Sequence, residues 1–268
     1  MMLCDKIEKK ELPLFVSAIN KDDFIAEEKM DGDRIKMTVK EMAVTLTNRR
    51  ENIVTDKYPE FQGKQYLPNC VLDGEMCVIK HDLSQFLEGI SFRTHNKARE
   101  VIEQMAKKYP ATFVVFDILE LDGINLMDYS LRERKKMLAQ LNISHPNIKI
   151  IKPSKDILAL WKEVTDKDGE GIIIKDLNSK YYYGKRKIYW RKVKAIKEED
   201  LEFDSYTTNP KGIVLSNKAG IRVACNGSQA EEVISELKKK GKVLITIRFL
   251  RKTKEGKYFQ PTYLKINL

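Results

Sequence analysis

The sequence predicts an α+β fold in two unequal parts, and three observations lead there. Apolar residues alternate at Ile35, Met37 and Val39, then at Met42, Val44 and Leu46, the period of half-buried strands. Helical spacing takes over at Val101, Ile102, Met105 and Ala106. Near Ala195-Ile196-Lys197-Glu198-Glu199-Asp200 the texture turns to a short charged connector, after which only short strand-like runs and one helix follow. The connector marks a domain boundary, with a first domain over residues 1–195 and a second over 196–268.

Residues 1–28 are short mixed segments leading to Lys29-Met30-Asp31-Gly32-Asp33-Arg34. The alternation beyond them reads as two antiparallel strands joined by a tight turn at Lys40-Glu41. That puts Lys29 at the mouth of a sheet, with Gly32 letting the backbone approach a ligand closely. Asn48-Arg49-Arg50-Glu51-Asn52 is a polar turn. A buried strand at Val71-Leu72 continues past Asp73-Gly74-Glu75 into Met76-Cys77-Val78-Ile79, and Thr112 to Leu121 is a central strand. Between them, the helix from Ala98 to Tyr109 is stopped by Pro110.

Ser130 and Glu133 form a capping box for a helix facing inward with Leu131, Leu138 and Leu141. Ser154 caps the next, with Ile157, Leu160, Trp161 and Val164 inside. Ile172-Ile173-Ile174 is too uniformly apolar for a surface strand, and Trp190 to Lys194 is a strand with basic residues at alternate positions. In the second domain, strands surround Ile213–Leu215, Ile221–Ala224, Val243–Phe249 and Tyr258–Ile266. Its helix is capped by Ser228 and Glu231, carries Lys238 to Lys240 at the negative end of its dipole and stops at Gly241. Short strands with one helix in so small a span fit a β-barrel such as an OB-fold.

The formal net charge of +10 over 268 residues suggests a polyanionic partner. Cys4, Cys70, Cys77 and Cys225 form no CxxC pair, and His81, His95 and His145 are scattered, which argues against a structural zinc site or a disulfide framework. Met1 to Glu11 lacks an apolar signal-peptide core and no run is apolar enough to span a bilayer, so a soluble cytoplasmic protein without a membrane partner is expected.

Polar clusters recur at strand ends: Lys29, Arg34, Arg49, Glu75, Glu170, Lys192 and Lys194, with Phe116 beside Asp117. Taken singly, each has a plainer reading as a surface lysine, a turn arginine, a hairpin carboxylate or a core phenylalanine. Together they suit a nucleoside triphosphate. Cations neutralise phosphates, carboxylates bind ribose hydroxyls and a metal, and an aromatic face stacks on a base.

At these residues the chain resembles the ATP-dependent DNA ligases, in the nucleotidyltransferase superfamily that also holds RNA ligases and capping enzymes. The family's KxDGxR motif is Lys29 to Arg34, and its arginine turn is similar to Asn48-Arg49. Thr55 with Tyr58-Pro59-Glu60-Phe61 resembles the bacterial repair ligases. The DGE motif is Asp73-Gly74-Glu75, and the aromatic motif is Phe116-Asp117-Ile118-Leu119 followed by Asp122-Gly123. The EGxxxK motif runs from Glu170 to Lys175, and Gly184-Lys185-Arg186 leads to WxKxK at Trp190, Lys192 and Lys194. Six motifs in order cover residues 27–194. The second domain is similar to the ligase OB domain more loosely, through Thr253, Gly256-Lys257, Pro261 and Tyr263. It departs from the family where a C-terminal basic motif is expected, leaving Lys265, Arg248, Arg251 or Lys252 as substitutes.

The resemblance implies an adenylation domain of packed antiparallel sheets and helices, then an OB-fold barrel. It makes Lys29 the nucleophile that attacks the α-phosphorus of ATP and carries AMP. The cations Arg34, Lys192 and Lys194, with Mg²⁺, are expected to disfavour the protonated amine. The implied nucleotide contacts are Glu27 near the adenine amino group, Arg34 and Arg49 at the ribose and the phosphate of the nick, Glu75 at the ribose, Glu170 beside the metal, Phe116 against the base, and Lys192 and Lys194, which also share in catalysis, on the α-phosphate and the pyrophosphate charge. Glu170 and Glu75 are the implied metal ligands. Arg49, Arg50, Lys185 and Arg186 would meet DNA, with the tracts Lys180–Lys187 and Lys238–Lys242 as further basic surface.

ATP is expected rather than NAD, because the 28 residues before Lys29 leave no room for the domain that NAD-using relatives place there. The expected partner is nicked double-stranded DNA, bound by a monomer. An RNA ligase or capping guanylyltransferase shares the Lys29 chemistry, and a non-catalytic nucleic-acid-binding relative would share the fold. The Thr55–Phe61 run and the Trp190 motif favour DNA, and the presence of both Lys29 and Lys192 favours catalysis.

Overall fold

The computed structural model describes residues 1–63, 67–79, 87–141, 143–252 and 256–267. Thr253 of the family-like ending, His81 and Leu268 lie outside the described residues. The chain divides into two compact units, Met1–Val193 and Lys194–Leu268.

The first unit opens with β1 (Leu3–Lys6), α1 (Leu12–Ala18), β2 (Phe24–Glu28), β3 (Asp33–Lys40), β4 (Ala43–Asn48) and β5 (Cys70–Cys77). It continues with α2 (Leu87–His95), α3 (Arg99–Lys108), β6 (Thr112–Leu121), β7 (Ile124–Asn125), α4 (Leu131–Gln140) and β8 (Ile148–Ile150). It closes with α5 (Ile157–Asp166), β9 (Gly171–Asp176) and β10 (Arg186–Lys194). These strands form two sheets. One has the order β1-β10-β9-β2; the other runs β4-β3-β5-β6-β7, with β8 added parallel to β6.

Each sheet buries a face for the reason its sequence gives. Ile35, Met37, Val39, Leu72, Phe113, Val115 and Ile118 project from one side of the larger sheet into the main core. The helices α1 and α5 cover the smaller sheet through Leu12, Val16, Ile157 and Val164. A third cluster holds Ile25 of β2, Leu119 of β6 and Trp190 of β10, so side chains of both sheets meet there. Arg134 of α4 reaches into this region and is fully buried against Asp117, making bonds of 2.8 and 2.9 Å to its two oxygens. Its Nη1 also donates to the carbonyls of Tyr129 (2.6 Å) and Ser179 (3.3 Å), so the buried charge is held from several sides.

The local expectations hold at several points. The central strand spans Thr112–Leu121, and Ser130 and Glu133 cap α4 reciprocally. Others need correction. The β3–β4 turn falls on Glu41 and Met42, both at positive φ, so Met42 is a turn residue and not a strand residue. The two-residue turn matches the strand twist, and that outweighs the apolar alternation. Asp156, not Ser154, caps α5, because its side chain reaches the Ala159 N–H at 2.9 Å. Ser154 sits one turn earlier, in a bridge to Ala26. The helix α4 ends at Gln140, which leaves Leu141 as its cap.

The second unit comprises β11 (Lys197–Phe203), β12 (Ser205–Asn209), β13 (Gly212–Ser216), β14 (Arg222–Asn226), α6 (Ser228–Lys240), β15 (Val243–Phe249), β16 (Arg251–Lys252), β17 (Tyr258–Phe259) and β18 (Thr262–Asn267). The charged stretch expected as a connector is thus strand β11, paired along its full length with β15. Its charges face partners across the ladder, with Arg248 on Glu198 at 2.9 Å and Lys252 on Glu199 at 2.8 Å, so a polar strand is stable at the surface. Ser228 is the first residue of α6 and not its cap; Gly227 holds that position with no side-chain bond. Gly241 does end the helix, in the left-handed conformation. Sheets β11-β15-β18 and β12-β13-β14 pack with α6 around Phe203, Leu215, Val233 and Ile245.

His145 stacks on Phe61 at 5.2 Å and accepts the Asn147 N–H at Nδ1. Burial holds its imidazole below the usual histidine range. Between that lowered value and the unfolded one, only the unfolded chain binds the proton, so stability falls as pH drops through this interval. Urea unfolding between neutral pH and about pH 5.5 is expected to show a steeper loss in wild type than in His145→Gln.

Candidate active site

The chain leaves the smaller sheet at Glu28, the end of β2, and enters the larger one at Asp33, the start of β3. Lys29 to Gly32 is this crossing. Two constraints fix it. The Lys29 N–H bonds the Gly171 carbonyl at 2.8 Å, which continues the β2–β9 pairing by one residue. Gly32 lies so close to β5 that a Cβ there would stand 2.2 Å from the Met76 carbonyl oxygen. Gly74 is as tightly placed, since a Cβ would meet the Phe113 ring and the Val114 carbonyl oxygen at 2.6 Å. The glycines of both DG motifs therefore permit close packing of backbone, as well as any approach of a ligand.

Beside the crossing is a cavity of about 180 Å³ with walls from both sheets. Lys29, Arg34, Arg49, Glu75, Phe116, Lys192, Glu27 and Arg186 all line it, from sequence positions up to 165 residues apart (27 to 192). Glu170 joins through its carboxylate, which is buried and pairs directly with the Lys29 ammonium. The antiparallel register explains that contact: Glu28 faces Ile172, so the residues just beyond, Lys29 and Glu170, come side by side. Of the remaining expected residues, Arg50 lines a neighbouring cavity, Lys185 is exposed, and Lys194 is absent from both sets of walls.

Strand alternation places Phe116, next to a β-bulge. In the β5–β6 ladder Asp73 faces Asp117 and Gly74 faces Val115, which leaves Phe116 as the extra residue. Phe113 and Val115 face the main core, so alternation alone turns the Phe116 ring to the other side, with Val114, and onto the cavity wall; the bulge resets the strand so that Ile118 returns to the core. Two cations lie against that ring, the Arg34 guanidinium at 5.0 Å and the Lys175 ammonium at 4.4 Å.

Several residues that the motif assignments left without a role complete the site. Asp73 is wholly buried and holds Arg34 through bonds of 3.0 and 2.6 Å, while the Tyr181 hydroxyl donates to the same carboxylate at 2.6 Å. Lys175 is only 2% exposed, pairs with Glu27 at 2.6 Å and lies 4.0 Å from the Trp190 ring centre. Lys135 of α4 takes the other oxygen of Glu27. Glu27 thus bridges two lysines and its carboxylate is already engaged. Lys175 could have been noticed as the last residue of EGxxxK following three isoleucines; nothing local in the sequence marks Lys135 or Tyr181.

The electrostatics differ from expectation at the central lysine. Burial pulls the Lys29 ammonium down, but Glu170, then Glu75 and Asp31, outweigh it and hold Lys29 above the usual lysine value. The cations expected to disfavour its proton are outweighed by carboxylates. Burial pushes Glu75 up to about 8, against the pull of Lys29 and Arg34 and with the push of Glu170 and Asp33. Burial also opposes the charge of Glu27, yet Lys135 and Lys175 keep it below the usual carboxylate range.

A metal ion is implied by the family resemblance. Among the described residues, no group of three or more His, Cys, Asp and Glu side chains is placed to hold one. Glu170 and Glu75 offer one or two oxygens near Lys29, too few for a resident ion. Such a donor set suits Mg²⁺ that brings most of its ligands as water and substrate phosphate.

The chain matches the family model described as ATP dependent DNA ligase domain over residues 1–194. It is 30% identical over 202 residues to the SPbeta prophage-derived DNA ligase-like protein LigB of Bacillus subtilis, an alignment covering 75% of this chain and 72% of that protein. It is 32% identical over 180 residues to a DNA ligase of Archaeoglobus fulgidus, covering 64% of this chain but 32% of that one. Its fold resembles a Lig E DNA ligase with a TM-score of 0.70 at 17% identity, covering 100% of this chain and 98% of that one. It also resembles a mycobacterial DNA ligase D complexed with ATP and MES, with a TM-score of 0.63 at 19% identity and coverage of 99% and 94%.

Gly32→Ala forces the Met76 strand outward. It is expected to cost about 1–3 kcal/mol, as overpacking of a tight site does. Asp73→Ala leaves Arg34 without its buried partner and is expected to cost about 3–5 kcal/mol. Denaturant midpoints of both variants against wild type check these values.

Proposed function

Because the chain belongs to the ATP-dependent DNA ligase family, we propose that it joins a 5′-phosphate to a 3′-hydroxyl at a nick in duplex DNA, with ATP as the adenylate donor. The single observation that carries this reading is the direct Lys29–Glu170 pair, set in a cavity with Phe116, Arg34, Arg49 and Lys192. Lys29 is the nucleophile. Its amine must lose a proton before it attacks the α-phosphorus, and Glu170 is the base bonded to it. Pyrophosphate leaves and AMP stays on Lys29 through a phosphoramide bond. The AMP then passes to the 5′-phosphate of the nick, and attack by the 3′-hydroxyl releases it.

The site's own groups divide this work. Phe116 offers the face for adenine. Lys192 and Arg49 stand where phosphate charge builds up, with preorganised donors that need no rearrangement during reaction. Arg34, fixed by Asp73, holds the position of the ribose and 5′-phosphate rather than swinging in from solvent. Glu75, held largely protonated near neutral pH, donates to a ribose hydroxyl. Glu170, joined by Glu75 where its carboxyl is ionised, would hold Mg²⁺ together with substrate oxygens, where it supplies Lewis-acid polarisation of the phosphoryl group.

The second unit is read as an OB-fold on the strength of its two three-stranded sheets, its single helix and their shared core. The exposed basic residues Lys185, Arg186 and Arg50, with the Lys238–Lys242 tract, serve the phosphate backbone of DNA. The enzyme acts as a monomer. No helix among the described residues is long and apolar enough to cross a membrane.

Incubation with α-labelled ATP and Mg²⁺ is expected to give a denaturation-resistant label on wild type and none on Lys29→Ala or Lys29→Arg. GTP is expected to give no label, and nicked duplex DNA to be sealed in preference to nicked RNA. A label that survives Lys29→Ala would overturn the assignment.

A further inference from the structure

A second cavity, about 550 Å³, lies on the other side of Arg34, Arg49 and Glu75, which line both. At its far wall stand Asp33 of β3, Tyr58, and Thr94 and His95 from the end of α2. None of these four has a part in the lysine adenylation described above.

The end of α2 is held firmly. Arg93, buried, bonds Glu60 at 2.7 and 3.0 Å and the Tyr109 carbonyl at 2.5 Å. Lys57 bonds the Asn96 carbonyl at 2.8 Å. His95, the last residue of this helix, places Nδ1 at 2.7 Å from the Ser91 carbonyl. A carbonyl only accepts, so Nδ1 carries the proton and Nε2 keeps the lone pair in the neutral ring. Asp33 shares this wall with His95 and takes a hydrogen bond from the Tyr58 hydroxyl at 3.4 Å; burial raises its carboxyl above the usual range, with Tyr58 and then His95 acting against that rise. An imidazole tied to a carbonyl through Nδ1 is held in one tautomer with Nε2 left as a proton acceptor, here on a cavity wall that it shares with a carboxylate.

The other charged groups on these walls are Arg34 from β3, Glu75 from β5, and Arg49 and Arg50 from the turn after β4. Arg93 on the same helix is turned to Glu60, and Lys57 lies at the Asn96 carbonyl. The guanidiniums attract a phosphate, while the Asp33–His95 end suits a hydroxyl that must give up its proton. A strand end carrying a 3′-hydroxyl has that chemistry.

We propose that His95, positioned against Asp33, is the general base that takes the proton of the attacking 3′-hydroxyl in the sealing step. This rests on the ligase reading above. The O3′–H bond breaks, with its proton going to Nε2. The O3′ lone pair forms the new bond to the 5′-phosphorus, and the bond from that phosphorus to the bridging oxygen of AMP breaks, so AMP leaves with the electron pair. The imidazolium returns the proton to water.

The test uses a nicked duplex whose 5′-end is already adenylated, so that sealing is measured without ATP. Wild-type single-turnover sealing should rise with pH across the weakly acidic range, where an imidazole loses its proton. His95→Gln should seal about 10²-fold more slowly at neutral pH and lose that ascending limb. Asp33→Asn should slow sealing and keep the ascending limb, because the ring that takes the proton is unchanged. Labelling of Lys29 by ATP should be unchanged in His95→Gln, which separates this proposal from the reading of Lys29. A wild-type sealing rate flat across the weakly acidic range overturns the proposal whatever the variants do. So does a His95→Gln enzyme that is slow but keeps the wild-type pH profile, since a purely structural role would leave that profile in place.

Discussion

The passage of the backbone from one sheet to the other at Lys29–Gly32 is the constraint on which the site depends. The four residues must leave β2 in register with β9 and enter β3 in register with β5. Only a residue without a Cβ fits against the Met76 carbonyl, and only that fit brings the two sheets close enough to share a cavity. Once the crossing is set, the rest is register. Lys29 falls beside Glu170, Arg34 faces Glu75, and the alternation along β6 turns Phe116 to the same space. A side chain carried on such a crossing is held by backbone pairing on both sides, the rigidity that the proposed in-line attack on phosphorus would use.

The electrostatic design is one of opposed charges under cover. Arg34 with Asp73, Arg134 with Asp117, and Lys175 with Glu27 each place a cation and a carboxylate in the interior around the cavity. Buried pairs of this kind add little net stability, but each is costly to break, so they fix geometry. Lys29 shares this environment, and its carboxylate neighbours keep it protonated without ligand. That makes the resting enzyme an ion pair and not a free amine. A triphosphate adds negative charge beside the lysine, which by itself strengthens its hold on the proton. On the proposed reading, deprotonation is driven locally, at Glu170, rather than by the overall positive charge of the protein.

Much of this was legible in the sequence, because the motifs sit where backbone conformation is most restricted. Thr112–Leu121 and the Ser130–Glu133 capping box are local patterns, and local physics decides them. Strand β11 was not legible. Its run of charges, Lys197 to Asp200, is held through cross-strand partners on β15 and at Lys252, more than forty residues away. The cap of α6 and the turn at Glu41-Met42 were misplaced by one or two residues, where neighbouring side chains offer nearly equivalent choices.

The sequence alone determined the type of chemistry, since lysine, carboxylates, arginines and an aromatic at those spacings are residue identities and need no coordinates. Tertiary structure decided which of them meet. It brought Lys192 to the cavity wall but not Lys194, engaged Glu27 with Lys135 and Lys175, and reversed the expected effect of the surroundings on Lys29. It also gave Asp33 and His95 a shared cavity, although 61 intervening residues (34 to 94) separate them. The reason is physical: burial and pairing are set by sheet register and by contacts between distant segments, and a charge takes its pKa from those neighbours rather than from its place in the chain.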